Sequence, residues 1–284
     1  MRSRWVLIIG AMLCIVDPAH AQDPPLDVLL DRLGAYLQDY EAKAFELVAD
    51  ERYEQWIRRR KGYSGGTVQR RKLKSTYFLI RLPDGRAWYG FREVTSVDGD
   101  VIQAPKRSMA DLLTERTTDA VTEAVAMTRA SAKYNIGGVY RTINVPVQAL
   151  ELFAPQFHRR FEFHLAGRQK VRGQQAFVVE FEERSFPTLI SDGFDGDIVS
   201  SGRLWLEPGT GAVFRTELHF SGPAASYLKE NFVRVDYEQD ARVQILVPRE
   251  MEETYGLDVE VVHGRATYRN YRRFETSGRL VAPN

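Results

Sequence analysis

The run Lys61-Gly62-Tyr63-Ser64-Gly65-Gly66 is the first place in this 284-residue chain where residue types and spacing could do chemistry. Gly62 to Gly66 fits G-x-S-x-G, in which a serine on a sharp strand-to-helix turn becomes a nucleophile. That use requires a helix after the serine, whose N-terminus supports the oxyanion hole. The residues that follow, TVQRRKLKSTYFLI, read as a strand. The positive charges near their start suit a helix C-terminus rather than its beginning. A glycine-rich hairpin tip accounts for Gly62, Gly65 and Gly66 without catalysis. The expectation is a protein that is not an enzyme, with Ser64 at a hairpin tip.

The other chemistry-bearing groups read in the same way. His158, His164, His219 and His263 show no H-E-x-x-H spacing, and the chain has no C-x-x-C. They are expected as strand histidines in partial contact with water. Asp192, Asp195 and Asp197 alternate with Gly193 and Gly196, but lack the D-x-D-x-D-G register and the distal Glu of a calcium loop. No metal and no cofactor is expected. Arg58, Arg59, Arg60 and Lys61 face Arg70, Arg71, Lys72 and Lys74 across the glycine tip. If the hairpin forms, these eight make a basic patch. Such a patch either keeps a sheet edge in water or meets lipid phosphates or acidic protein surfaces.

The elements that must position these residues follow from pattern. Arg2 and Arg4, the apolar run Trp5 to Val16 and Ala19-His20-Ala21 form a secretory leader, cut after Ala21. The expected location is therefore periplasmic or secreted. Cleavage removes Cys14, the only cysteine, so no disulfide can support the fold. With Arg2, Arg4 and Asp17 gone, basic and acidic side chains are equal in number, which gives no pull toward nucleic acid. No later stretch is long and apolar enough to be an integral membrane segment.

Leu26, Leu29, Leu30, Leu33 and Leu37 recur at helical spacing. In AFELVADERYEQWIRR the alternation runs Phe45, Leu47, Ala49 and then Tyr53, Gln55, Ile57, which predicts a strand. Pro83-Asp84-Gly85 and Asp98-Gly99 predict tight turns between strands. Residues 108–134 predict a short helix and a longer one, capped by Ser108 and by Thr117 or Thr118 and stopped at Asn135-Ile136-Gly137-Gly138. Pro146 suits the start of another short helix. From Arg159 onward strand signals recur with no helix long enough for a parallel crossover, so the sheet is antiparallel. Three of the predicted strands, around FVVEF, RLWL and QILV, are apolar on both faces. Each face of such a sheet needs a cover, and the helices at 26–42 and 108–134 are the candidates.

The hairpin GRLWLEPGTGAVFRTELHF, through Gly202, Trp205, Pro208, Thr210 and Gly211, resembles a hairpin of the periplasmic lipoprotein carriers of the LolA/LolB type. The resemblance implies a curved antiparallel half-barrel whose helices pack on or lid its concave face, over a cavity for acyl chains. It implies no binding residue by position.

The expected fold is therefore α+β, a single half-barrel domain over residues 22–284 with a helical insertion around 108–158. The expected function is to hold a lipid, a lipoprotein acyl chain or another apolar ligand. The alternative is a non-catalytic structural or interaction module with an envelope protein as partner. Candidate lining residues are Trp88, Phe91, Phe161, Phe163, Phe177, Phe181, Trp205, Phe214 and Tyr237, each of which an ordinary core would also use.

Overall fold

The computed structural model describes residues 23–44, 46–60, 68–81, 88–115, 117–138, 145–191, 196–221 and 230–274. The expected leader, Phe45, Lys61 to Gly66 with Ser64, the turn expected at Pro83-Asp84-Gly85, Asp192 and Asp195 lie outside these residues. So do the side chain of Trp88 and the C-terminal residues 275–284.

Helix α1 spans Leu26–Lys43, with Leu29, Leu33 and Leu37 buried along one stripe. Asp27 in its first turn and Lys43 in its last suit the helix dipole. Strands β1 (Leu47–Arg59), β2 (Arg70–Arg81), β3 (Trp88–Val97) and the short β4 (Asp100–Val101) follow. Asp98 and Gly99 both take positive φ in the turn between β3 and β4, and Asp98 also accepts from the backbone N–H of Lys72. Helices α2 (Met109–Glu115) and α3 (Thr118–Ser131) come next. Thr117 caps α3 by accepting from Ala120 N at 3.2 Å. A turn at Pro146 leads into α4 (Gln148–Leu152) and a 3-10 turn at Pro155–Arg160. The remaining strands are β5 (Phe161–Val171), β6 (Gln174–Glu183), β7 (Ile190–Ser191), β8 (Asp197–Leu206), β9 (Val213–Ser221), β10 (Glu230–Gln239), β11 (Leu246–Gly256) and β12 (Glu260–Arg273).

The strands form one antiparallel sheet in the order β4-β3-β2-β1-β12-β11-β10-β9-β8-β6-β5, with β7 paired to β8. The last strand lies beside the first, which joins an N-terminal meander to a C-terminal one. β4 and β5 are the two edges, so the sheet does not close.

Successive residues point to opposite faces, and both faces are apolar. Leu47, Ala49, Tyr77, Leu79, Phe177, Val179, Leu204 and Leu206 belong to a core shared with α1 and α4, on what is here the inner face. Val48, Phe78 and Ile80 point outward and pack with Phe91 and Phe274 under Met109, Leu112, Leu113, Ala120 and Ala124 of α2 and α3. The two helical covers thus lie on opposite faces, α1 inside and α2–α3 outside.

The sheet curves around α1. Tyr40 of this helix is within electrostatic reach of both Tyr237 on β10 and Tyr77 on β2. Those strands are four places apart, about 19 Å in a flat sheet at ~4.8 Å per strand. The sheet is an open half-barrel whose concave face carries α1.

Candidate functional site

The concave face is the candidate site, and its cover is made of helix and loop rather than a second sheet. The leucine stripe of α1 fills the middle. Val147, Ala149, Leu150, Leu152 and Phe153 from the α4 region fill the side nearer β5 and β6. The Phe153 ring meets Phe181 at 4.5 Å and Phe161 at 5.6 Å between centroids. Tyr237 donates to Pro146 O at 2.8 Å and so ties the α4 segment to β10. Gly34 of α1 meets the 3-10 turn directly: a Cβ there would lie 3.0 Å from Pro155 Cγ. The two parts of the cover touch each other across the mouth of the half-barrel.

The motif hairpin between β8 and β9 seats α1. Glu207 accepts from the N–H groups of Gly209 and Thr210 and from the Thr210 hydroxyl at 2.6–2.9 Å. Partial burial pushes the Glu207 carboxyl up, but these bonds and nearby Arg32 outweigh it and leave the group below its ordinary range. Arg32 of α1 donates to Pro208 O. Gly211 takes φ +73°, and its Cα lies so close to α1 that a Cβ would come 2.5 Å from the Arg32 carbonyl carbon and Leu33 N. The glycine serves both the turn and the approach of the helix backbone.

One end of the concave floor is polar. Glu51 on β1 and Arg92 on β3 form a two-pronged ion pair at 2.5 and 2.6 Å, with 1% and 6% of their surfaces exposed. Burial alone would lower the Arg92 pKa; the Glu51 charge and hydrogen bonds override this and raise it. The guanidinium also sits 5.2 Å from the ring centre of Tyr53. Tyr53 donates to Glu253, as does Tyr255 at 3.2 Å. Gln55 accepts from Ile136 N at 3.1 Å, so the loop after α3 stoppers this end. Tyr77, Tyr268 and Tyr271 feel the Glu51 charge, Tyr36 and Tyr40 belong to α1, and Tyr237 lies near both of these; burial raises every one of these phenols. Among the described residues the hydroxyls of Tyr77 and Tyr268 are buried without a hydrogen-bond partner. Each such group costs about 1–3 kcal/mol.

The candidate lining residues do not face one space. Phe161, Phe163, Phe177, Phe181 and Tyr237 converge on the concave core. Trp205 and Phe214 pack on the outer face with Val171, Ala176 and Val178. Phe91 is covered by α2 and α3. Strand parity decides this: Trp205 lies between inward-facing Leu204 and Leu206, and the bulge at that point turns Phe214 outward. The β1–β2 hairpin forms, but its register does not set Arg58 and Arg59 opposite Arg70 to Lys74. Trp56, not Arg58, pairs with Arg70, while Arg58 and Arg59 lie opposite Val261 and Glu260 of β12. Arg71 pairs with Asp98 and Lys72 with Glu54, and Arg60 donates to Leu257 O.

The histidines lie at the periphery of this core. His158 bonds to Phe153 O, and His263 stacks on Trp56 at 5.2 Å. His164 and His219 line a groove of about 440 Å³ on the outer face with Glu180, Arg203 and Glu217. Asp197 accepts from the N–H and hydroxyl of Thr188, a local loop contact. Sequence reasoning passed over Glu51, Arg92 and Glu253. For Glu51 the signal was present: it keeps the parity of Leu47, Ala49, Tyr53 and Gln55.

No protein-family model matches the chain, and no curated protein matches it by sequence. Solved structures are similar to it. A DUF1329 family protein from Desulfovibrio piger aligns with a TM-score of 0.42 and 11% identity, over 88% of this chain and 93% of that one. A LolA superfamily protein from Nitrosomonas europaea aligns with a TM-score of 0.32 and 9% identity, over 84% and 92%.

Proposed function

We propose that this is a binding protein that takes an acyl chain or similar apolar ligand against the concave face of its sheet. The observation that supports this is the construction of the cover. An unclosed, curved, apolar sheet is filled by one helix and one short segment, which meet at Gly34 and Pro155. Such a cover can part without breaking the strand ladder. The exchange sets the ligand's size. Burying Leu29, Leu33 and Leu37 contributes about 1.5–3 kcal/mol each, and each buried methylene of a ligand about 0.8 kcal/mol. A chain of about six to eleven methylenes is needed to offset the leucines alone. The outer-face groove is lined mainly by ionisable side chains and does not suit such a chain. The leader supports a periplasmic or secreted location, and the binding reaction involves no covalent step.

A lock on the cover tests this. A Cβ at Gly34 would lie 3.8 Å from Pro155 Cβ, the separation found in disulfides. The Gly34→Cys/Pro155→Cys variant, oxidised, fastens α1 to the segment before β5. Uptake of a fluorescent long-chain fatty-acid ester should be lost when oxidised and return on reduction. Equal uptake in both states would refute entry beneath this cover. No uptake by the unmodified protein would favour a structural or interaction module instead.

A further inference from the structure

The geometry points to Tyr77 and Tyr268 as hydrogen-bond donors to the carbonyl of an acyl ester, at a polar floor that the half-barrel presents when its cover lifts. This rests on the binding function proposed above and specifies the chemistry of its ligand. Both hydroxyls are buried and, among the described residues, have no acceptor. Buried polar groups in native proteins are nearly always satisfied, so two orphans side by side need an explanation. The two rings lie 5.4 Å apart at 58°. Tyr77 Oη is held over the bare backbone of Gly90, where a Cβ would come within 2.1 Å of it. Any larger residue at 90 would displace the hydroxyl. The same Cβ would lie 3.2 Å from Val145 Cγ2, in the segment that leads into α4, which places Tyr77 beneath the cover.

The surroundings choose the acceptor. Arg92 lies 5.9 Å from the Tyr77 ring centre, but two of its donors are held by Glu51. The carboxylates of Glu51 and Glu151 both act on Tyr77 beside this guanidinium. A free carboxylate or phosphate would meet unfavourable charge at short range in a site shut from water. An ester carbonyl offers acceptor lone pairs without charge and lies at the head of an acyl chain. Apolar packing by α1 beside the orphan phenols matches that order of chain and carbonyl.

The test compares 1-palmitoylglycerol with 1-O-hexadecylglycerol, an ether that lacks the carbonyl. Each is titrated into the wild-type protein and into Tyr77→Phe/Tyr268→Phe by calorimetry. The wild type should bind the ester about tenfold more tightly, the scale of two modest hydrogen bonds. The double variant should bind both compounds equally, at the affinity of the ether. Removing hydroxyls that have no partner should leave the melting temperature unchanged or raise it. A lowered melting temperature would show that they are satisfied in the free protein and would overturn the inference. Equal binding of ester and ether by the wild type, or an ester preference that survives in the variant, would overturn it while leaving the binding function standing. Binding of neither compound overturns both. Displacement of bound 1-palmitoylglycerol by phosphatidylethanolamine vesicles would identify a membrane lipid as the source of the ester, and displacement by a diacylated cysteinyl peptide would identify a lipoprotein. Displacement by neither counts against ester recognition.

Discussion

Glu51 and Arg92 show that charged residues can belong to the core of a sheet. A buried ion pair gains little net stability, because desolvation consumes most of the Coulomb attraction. The pair is tolerable here because its geometry is two-pronged and Tyr53 lies under the guanidinium. His263 gives a residue-scale prediction. Burial, and secondarily the Arg58 charge, lower its pKa below the usual 6.5. The unfolded chain then binds more protons than the folded one between 6.5 and that lowered value. Stability should be flat with respect to this group above pH 7 and fall as pH drops through that window. His263→Gln should remove this contribution. Urea unfolding at pH 7.5 and pH 5.5 measures it, and an unchanged difference between the two pH values would rule His263 out as its source.

The elements divide by how locally their signals are written. α1, the Thr117 cap and the Asp98-Gly99 turn each depend on neighbours in sequence, and all three follow their patterns. The motif hairpin is different. Its Pro208, Thr210 and Gly211 look like turn residues, and they are, but they also form the seat for α1. Gly211→Ala should therefore destabilise by about 2 kcal/mol or more, through a left-handed φ and a clash with the helix backbone. The expected signature is faster hydrogen exchange along α1 while β10 to β12 keep their protection. Uniform loss across the sheet would instead show that the hairpin supports the whole fold.

At the scale of the molecule, the open sheet leaves two edges that must be kept from pairing with other chains. β4 is two residues long and exposed. β5 presents Glu162, His164, Arg168 and Lys170 and is interrupted by a bulge near Gly167, which takes φ +102°. Charge and bulge both discourage edge-to-edge association. Glu162→Val together with Lys170→Val should give concentration-dependent assembly by light scattering, with the circular dichroism of the dilute protein unchanged. A variant that stays monomeric at high concentration would show that the bulge alone suffices.

The sequence by itself determined most of the strands, their antiparallel character, the helical stretches and the need for a cover on each face; at QILV it misled, because Gln244 takes positive φ in the turn before β11 and only Leu246 and Val247 join the strand. Those features follow from period, turn chemistry and local composition, which act over a few residues. Only the tertiary structure decided that β12 lies beside β1, that α1 and α2–α3 cover opposite faces, and that five of the candidate aromatics look inward while Phe91, Trp205 and Phe214 do not. Those outcomes depend on register, and one residue of register or one bulge reverses the face of every side chain beyond it. The buried charges were hidden for a related reason. Glu51, Arg92 and Glu253 come from three separate strands, and no spacing along the chain marks groups that meet only once those strands are placed in one sheet.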